Sequence, residues 1–387
     1  MSILGGTGGT GGTGGTGGTG GTGGTGGTGG TGGTGGTNLT GLGAFIGGGP
    51  VDPLTAQGLL ICSQAIMHAA GSGPVERPSS LKMSDPENLA GFEGWVRASL
   101  YLSEFLRQLD WRADARGGIG AVSFSWQRPT FLSLHRPSME LFLEQVALVR
   151  EYMDLRGERS AEILTQLGYP IDYFATILGL NAARNRFTFE LIAATQVLTS
   201  HVAMVAKHHL ACRRPDRLGT TVMPMISTPG HATFPSAHAA EAFAVATVIE
   251  GLLKAVAPMK HYPSSERLAR LVFKQAERIA VNRTVAGMHF PIDSWAGAAL
   301  GEAVGQIVLA LCGAKSVKVT PRTYVAQNID FSVSAFRPDL WPGVPADHAD
   351  PKITGLSRDV DGRGVPVRRS SLFDWLWRKS LDEFRLS

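Results

Sequence analysis

Four long stretches of helical periodicity constrain the fold of this chain more than any other feature of its sequence. They cover about residues 176–212, 236–257, 264–284 and 291–313, and apolar residues recur in them at steps of three and four. Such steps place apolar side chains on one face of an α-helix. Alternating strand patterns are scarce and short, as in VKVTP. The sequence therefore predicts a mainly α fold, a bundle of about eight to ten helices.

The bundle is predicted to occupy residues 50–314, and a different composition follows it. From about residue 315 to 370 the chain is rich in Pro, Asp and Gly, which is typical of a long loop that wraps around a domain. The closing segment SLFDWLWRKSLDEF has aromatic and leucine residues at helical spacing. We expect residues 315–387 to form this loop and an amphipathic helix that docks on the bundle.

Residues 1–49 are set apart by a repeat. From Gly5 to Thr37 the triplet Gly-Gly-Thr recurs without interruption. The tract has no apolar side chain to bury and cannot offset the entropy of ordering glycine, which favours a flexible linker or a low-complexity expansion. The alternative is a polyproline-II-type helix, which turns once every three residues and would line the threonines along one edge. Its N–H groups are paired only if copies pack side by side, so this alternative implies a homo-oligomer.

The overall composition excludes several classes of protein. With 43% hydrophobic and 18% charged residues, the chain is globular outside the repeat. A net charge of +4 without a block of Lys or Arg argues against a nucleic-acid partner. The three cysteines are widely spaced and odd in number, which suits reduced thiols in a cytoplasm.

Two apolar stretches are long enough to raise the question of membrane insertion. Residues 239–256 include Glu241 and Glu250, and residues 297–314 include Glu302. Each ionised group at bilayer depth costs about 2.5–3.5 kcal/mol on insertion scales. The opening MSILGGTGG has neither the cationic nor the apolar region of a secretory signal. We therefore predict buried core helices, no transmembrane segment and a soluble, cytoplasmic protein.

Basic residues are concentrated at the predicted helix ends, first in the segment KHHLACRRP. Lys207 and Arg214 are seven residues apart, close to two helical turns, so both side chains can point the same way. Pro215 is expected to end the helix at Arg214. Basic residues near a helix C-terminus are common partners of the helix dipole, so this segment alone does not define a site.

A second segment, GHATFPSAHAAEAF, places Ser236 at the start of the next predicted helix. With Ser236 as the N-cap, the N–H groups of Ala237, His238 and Ala239 have no carbonyl partner inside the helix. Such N–H groups form an anion site, here with a serine hydroxyl and an imidazole beside it. The alternative is a capped helix with an incidental histidine.

The third segment, NRTVAGMHFPID, adds an arginine and a second histidine. Arg283 closes one predicted helix, and His289 precedes the next. The four-residue step from His289 to Asp293 lets the carboxylate accept the imidazole N–H and fix its tautomer. A histidine held in this way presents its other nitrogen as a nucleophile or as a ligand.

Together the three segments supply cations, helix N–H groups and two histidines, a set that suits a tetrahedral oxyanion with several negative charges. One histidine would attack or coordinate the central atom, and the other would give a proton to the departing oxygen. The sequence contains no cluster of carboxylates for magnesium and no Cys/His spacing for zinc. We therefore expect the anion to be bound without a divalent metal.

The order KHHLACRRP, PSAH and RTVAGMHFPID resembles the three-part signature of the type 2 phosphatidic acid phosphatase and vanadium-dependent haloperoxidase superfamily. That signature reads Lys-x6-Arg-Pro, then Pro-Ser-Gly-His, then Arg-x5-His-x3-Asp. The spacing inside each part matches, and the resemblance covers roughly residues 200–300. It implies a helical bundle with one oxyanion site.

The resemblance also implies a role for each matching residue. His289 would be the nucleophile toward phosphate or the ligand of the vanadium in vanadate, with Asp293 orienting it. His238 would act as general acid and base. The residues implied to hold the oxyanion are Lys207, Arg214, Ser236 and Arg283, with the backbone of Ala237.

Two positions depart from the family pattern. Ala237 stands where the family has glycine, and its N–H can approach the oxyanion only if its φ is negative. Asn282 stands where the family has serine before the third arginine, which is a milder change.

The leading hypothesis within this superfamily is a soluble, haloperoxidase-like enzyme, because the lipid phosphatases carry the motif on transmembrane helices. The resemblance then implies vanadate as cofactor, with hydrogen peroxide and a halide as substrates. His231 stands five residues before Ser236, similar to a histidine of algal bromoperoxidases, which implies a halide-side or proton-relay role.

Two alternatives stay open at this point. The first is a soluble, metal-independent acid phosphatase that needs no cofactor and forms a phosphohistidine at His289. The second is an inactive homologue, weakened by Ala237, whose glycine tract drives assembly.

Overall fold

The computed structural model of the chain describes residues 53–70, 81–115, 120–168, 170–259, 262, 264–315 and 317–385. The Gly-Gly-Thr tract and its two predicted conformations lie outside the described residues. Contacts between Cα atoms divide the chain into two units at Ser99 and Leu100, and each is described by itself. Helix accounts for 61% of the structure, which confirms the predicted mainly α class.

The helices differ greatly in length, and the longest four carry the site described below. In chain order the helices are α1 (Pro53–Ala70), α2 (Gly94–Leu106), α3 (Met139–Glu151), α4 (Arg156–Thr165), α5 (Ile171–Leu178), α6 (Arg186–Leu210), α7 (Ala237–Val256), α8 (Ser265–Val285), α9 (Pro291–Leu311), α10 (Val333–Phe336), α11 (Pro351–Thr354) and α12 (Ser371–Arg385). The C-terminal helix α12 packs on α6, and α4 and α5 pack on α8.

A five-stranded sheet accompanies the helices, and the sequence analysis missed it. Strands β1 to β3 form an antiparallel meander, β4 pairs parallel to β3, and β5 pairs antiparallel to β4. The period-two signal is present in AVSFSW, where Val122, Phe124 and Trp126 are buried in alternation, but each strand is too short to stand out. The strands are β1 (Leu109–Asp114), β2 (Ala121–Trp126), β3 (Thr130–His135), β4 (Arg322–Tyr324) and β5 (Leu356–Arg358).

Helices α7 and α9 approach each other closely because α9 presents glycines at four-residue intervals. A Cβ on Gly297 would lie 2.5 Å from the carbonyl oxygen of Ser236, and one on Gly301 would overlap the carbonyl oxygen of Ala240. A Cβ on Gly305 would meet α7 one turn further along. Glycines at this spacing form a groove along one face of α9, into which the backbone of α7 fits.

This close packing fixes the two helix N-termini against each other. The Ser236 N–H, at the N-cap of α7, donates to the carbonyl oxygen of Asp293 in the first turn of α9 at 2.9 Å. The two N-termini therefore share one location, and the first N–H groups of α7 and the dipoles of both helices favour negative charge there.

The prediction of a cytoplasmic protein is wrong, and the prediction of no transmembrane segment is weakly in conflict with the structure. Within the part of the chain that the structure describes, three helical segments are long and apolar enough to cross a membrane. They are α6 and α7, each with the short turn that follows it (Arg186–Arg217 and Ala237–Met259), and α9 (Pro291–Leu311). In the most apolar 18-residue stretch of each segment, 67%, 67% and 89% of the residues are buried inside the fold. These candidate spans point to a membrane protein.

The error came from counting glutamates as isolated charges. Glu302 accepts hydrogen bonds from Arg322 at 2.6 Å and from Arg358 at 3.0 Å, and Glu250 accepts from Arg337 at 3.0 Å. A paired and buried carboxylate does not carry the insertion cost of a bare one. Two of the three glutamates that argued against insertion are therefore neutralised by arginines from the C-terminal segment.

Replacing Gly301 with alanine tests the close packing of α7 and α9. Because the new Cβ would overlap the backbone oxygen of Ala240, Gly301→Ala should lower the free energy of unfolding by about 1–3 kcal/mol. The matched control is Gly157→Ala in α4, where a Cβ meets nothing within 4 Å. Thermal unfolding followed by circular dichroism measures both, and equal melting of Gly301→Ala and the wild type would contradict the packing.

Candidate active site

The candidate site lies where four helix ends meet, the C-termini of α6 and α8 and the N-termini of α7 and α9. Nearly all of the residues singled out in the sequence are buried there, while His238 is half-buried and His231 is exposed. The structure joins them, directly or through one intervening residue, in a network of hydrogen bonds. These residues are Lys207, Arg214, His231, Ser236, Ala237, His238, Arg283, His289 and Asp293.

His289 is held by a carboxylate and a hydroxyl. Its Nδ1 lies 2.9 Å from Oδ2 of Asp293 and 3.1 Å from Oγ1 of Thr233. The Thr233 hydroxyl donates to the same carboxylate oxygen at 2.5 Å, and the Phe290 N–H donates to it at 3.0 Å. Because a carboxylate can only accept, the Nδ1 of His289 carries the proton. Nε2 then carries the lone pair, which accepts a long hydrogen bond from Nη1 of Arg214 at 3.5 Å.

The surroundings of His289 keep its ring neutral. Burial lowers the pKa of His289 well below its usual 6.5, and the charges of Lys207 and Arg214 lower it further. Nη1 of Arg214 lies 3.5 Å from Nε2 of His289 and donates to the carbonyl oxygen of Met288 at 2.9 Å. A neutral imidazole beside a guanidinium is arranged to attack a bound anion.

The helix that carries Lys207 ends earlier than predicted. Helix α6 stops at Leu210 because Ala211 adopts a left-handed conformation with φ 49°, and its N–H donates back to the carbonyl oxygen of Lys207. Arg214 therefore follows the helix instead of lying on it. The seven-residue spacing had predicted that the two basic side chains lie on one helical face. This prediction is wrong, because Arg214 lies outside the helix.

Lys207 and Arg214 nevertheless hold the same loop, the one that leads into α7. Nζ of Lys207 donates to the carbonyl oxygens of Ala232 and Thr233, each at 2.8 Å. Nε of Arg214 donates to the carbonyl oxygen of His231 at 2.9 Å. Two buried cations thus fix three consecutive carbonyls, and this places the Thr233 hydroxyl between His289 and Asp293.

His231 touches the site through Arg214. Because a guanidinium can only donate, Nδ1 of His231 accepts from Nη2 of Arg214 at 3.2 Å. Desolvation and the neighbouring charge of Lys207 lower the pKa of His231 to about 4, so the ring is neutral near pH 7. The halide-side or relay role of His231 stays a prediction.

At the N-terminus of α7, Ala237 has the negative φ that its N–H needs in order to approach an oxyanion. Ser236 is the N-cap, and its Oγ accepts from the Ala239 N–H at 3.4 Å. Ala237 is the first helical residue and keeps the ordinary right-handed backbone. Its Cβ therefore does not force an unusual φ, and the first N–H groups of α7 have no carbonyl partner inside the helix.

His238 and Arg283 meet at a residue that the sequence analysis did not single out, Gln166. Nε2 of His238 lies 3.0 Å from the main-chain oxygen of Gln166 and donates to it, which leaves Nδ1 as the nitrogen available to a substrate. Nη2 of Arg283 donates to the carbonyl oxygen of Ile163 at 3.2 Å and to Oε1 of Gln166 at 3.4 Å.

Sequence reasoning therefore missed two residues of the site. Thr233 lies inside the segment GHATFPSAH, but nothing in the pattern distinguishes it from an ordinary loop threonine. Gln166 lies more than a hundred residues before Arg283 and carries no motif. Only the fold brings these two side chains to the site.

The donors of the site fit a tetrahedral oxyanion. Two guanidinium groups, one ammonium group and the N-terminus of a helix lie around the neutral imidazole of His289. These groups provide charge-assisted donors for phosphate and for vanadate alike, because the two anions share charge and shape. The donor set by itself does not choose between them.

Comparisons with known proteins assign this part of the chain. Residues 188–316 match the family model of the PAP2 superfamily and form a domain of that superfamily. Over 140 residues the chain is 29% identical to the decaprenylphosphoryl-5-phosphoribose phosphatase of Mycobacterium tuberculosis, in both strain CDC 1551 / Oshkosh and strain ATCC 25618 / H37Rv. The match covers 36% of this chain and 70% of each relative.

These findings separate the branches left open by the sequence. They support an enzyme with a phosphatase-type function, and they give no support to the haloperoxidase branch. The name of the relative refers to a decaprenyl-linked compound as its substrate. The three candidate membrane spans of this chain argue against a cytoplasmic location.

Thr233→Val tests whether the hydroxyl positions His289. The variant keeps the shape of the side chain but removes its hydrogen bonds to Asp293 and His289, so kcat for phosphate ester hydrolysis should fall about 10- to 100-fold. The control is Thr199→Val, which removes an equally buried hydroxyl bonded to the carbonyl oxygen of Thr195 in its own helix. Equal loss in the two variants would contradict a specific role for Thr233.

Proposed function

We propose that this protein is a phosphatase that hydrolyses a phosphate monoester through a phosphohistidine at His289. The observation that carries the proposal is the hydrogen bond from Nδ1 of His289 to Asp293, which leaves the lone pair on Nε2, facing Arg214 at 3.5 Å. The PAP2 superfamily domain and the phosphatase relative support it.

In the first step, Nε2 of His289 attacks the phosphorus atom and the bond from phosphorus to the ester oxygen breaks. The monoester binds as the monoanion and passes its proton to Nδ1 of His238, and His238 gives this proton to the departing oxygen while its Nε2–H stays bonded to the carbonyl oxygen of Gln166. Arg214, Arg283 and the N-terminus of α7 hold the phosphoryl oxygens, on which negative charge is spread in the transition state.

In the second step, a water molecule attacks the phosphohistidine and the bond from nitrogen to phosphorus breaks. His238, neutral after the first step, accepts the proton of that water. Inorganic phosphate leaves, and His289 returns to its starting tautomer because Asp293 still accepts the Nδ1–H. Lys207 holds the loop that leads into α7, because its ammonium group donates to the carbonyls of Ala232 and Thr233.

The substrate class that we infer is a phosphate monoester on a lipid-linked molecule. Support comes from three candidate membrane spans in this chain and from a relative named for a decaprenylphosphoryl-5-phosphoribose. The site lies at the ends of those spans, where a polar head group would meet it. Vanadate fits the same donors and should act here as an inhibitor that mimics the transition state.

His289→Ala tests the proposed nucleophile. Release of inorganic phosphate from an aryl phosphate and from a lipid phosphate in mixed micelles should fall by at least about 10⁴-fold, because the proposed covalent intermediate forms at Nε2 of His289. Brief exposure of the wild type to ³²P-labelled substrate should leave label on the protein that is stable to alkali and lost in acid, as expected of phosphohistidine.

The matched control is His348→Ala, which removes an exposed histidine of the C-terminal segment. It should keep wild-type turnover and labelling. Retention of turnover by His289→Ala, or label on the wild type that survives acid, would overturn the proposed mechanism.

A further inference from the structure

We propose that Gln166 is a positioning residue of the phosphate site, which orients Arg283 while keeping carboxylate charge away from it. The inference rests on the proposed phosphatase function. Gln166 caps the C-terminus of α4 and is fully buried, although it lies outside the segment that matches the PAP2 superfamily.

Three hydrogen bonds fix the orientation of the Gln166 amide. Its Oε1 accepts from Nδ2 of Asn282 at 3.0 Å and from Nη2 of Arg283 at 3.4 Å. Its Nε2 donates to Oε1 of Glu162 at 3.1 Å. A guanidinium can only donate and a carboxylate can only accept, so the amide cannot be reversed without losing two of these bonds.

The amide separates a carboxylate from the arginine of the site. Both oxygens of Glu162 accept from Arg278, at 3.0 and 2.8 Å from its Nε. Arg283 makes no ion pair among the described residues, and its buried Nε has no hydrogen-bond partner within that part of the chain. A buried guanidinium that is bonded to no carboxylate keeps its donors available for an anion.

The family departure at Asn282 gains a physical role from this arrangement. Its Oδ1 accepts from Nη1 of Arg159 at 3.2 Å, and its Nδ2 donates to Gln166. An asparagine can bridge the two side chains because it has both an acceptor and a donor, and the longer side chain reaches further than serine does. Asn282 therefore holds Gln166, and Gln166 holds Arg283.

The main chain of Gln166 separately accepts from Nε2 of His238 at 3.0 Å. A substitution of the side chain leaves that carbonyl in place. It therefore changes the surroundings of Arg283 while retaining the contact that orients the proposed general acid.

The test replaces the amide with a carboxylate, in Gln166→Glu. The new carboxylate accepts from Arg283 and competes with the phosphoryl oxygens for it. KM for an aryl phosphate and the inhibition constant of orthovanadate should therefore rise at least tenfold at pH 7.5. Both should return toward the wild-type values measured at the same pH once the pH falls below the pKa of the new carboxyl group, which full burial raises and the Arg283 charge lowers. A purely structural defect has no reason to be repaired by acid.

The matched control is Gln306→Glu on α9. The amide oxygen of Gln306 also accepts from an arginine, Nη2 of Arg322 at 2.8 Å. It lies thirteen residues from Asp293, about 20 Å along the helix. This variant should keep wild-type KM and vanadate inhibition across the same pH range.

A second variant guards against a folding defect from two adjacent carboxylates. The double variant Glu162→Gln, Gln166→Glu keeps the total charge of these two positions. It moves the carboxylate from position 162 to position 166, where it contacts Arg283. We expect it to retain weak phosphate binding and the recovery in acid. Wild-type KM in this exchange, or behaviour of Gln166→Glu like that of Gln306→Glu at every pH, would overturn the inference.

Failure of the proposed function can be told apart from failure of this inference. A wild type that releases no phosphate from any ester contradicts the phosphatase function alone. Calorimetric titration with orthovanadate then decides the role of Gln166, because weaker binding to Gln166→Glu supports it and equal binding to Gln166→Glu and wild type overturns it.

Discussion

The site of this protein depends on the backbone contact between α7 and α9. Gly297 and Gly301 let the two helices approach until their main chains touch, and the Ser236 N–H bonds to the carbonyl of Asp293 as a result. The N-terminus of α7 and the main chain of Asp293, whose carboxylate accepts from His289, are thereby fixed relative to each other. An active site that must hold a nucleophile within a fraction of an ångström gains from such a rigid base.

The buried arginines of this chain fall into two groups, one paired with carboxylates and the other bonded to neutral acceptors. Arg322, Arg337 and Arg358 are paired with Glu250 and Glu302, so their charges are compensated within the fold. Arg214 and Arg283 instead donate to carbonyls and an amide, which orient a guanidinium without neutralising it. The positive charge that remains is what a phosphate would find.

The region before the superfamily domain completes the site. Helix α4 and its cap Gln166 reach His238 and Arg283, which come from two different helices of the domain. The same region supplies Arg159, which bonds to Asn282. The departure from the family pattern at Asn282 is thus matched by residues that the family match does not include, as expected if the two parts of the chain form one functional unit.

The sequence alone determined the helical class and placed the motif residues, because helical periodicity, proline positions and N-cap chemistry are local properties of the chain. The Ser236 cap and the four-residue step from His289 to Asp293 belong to this local level. Thr233 and Gln166 do not, since their partners are far away in sequence. Only the tertiary structure decided which groups surround each charge, and for that reason isolated glutamates predicted a cytoplasmic protein while paired ones allow membrane helices.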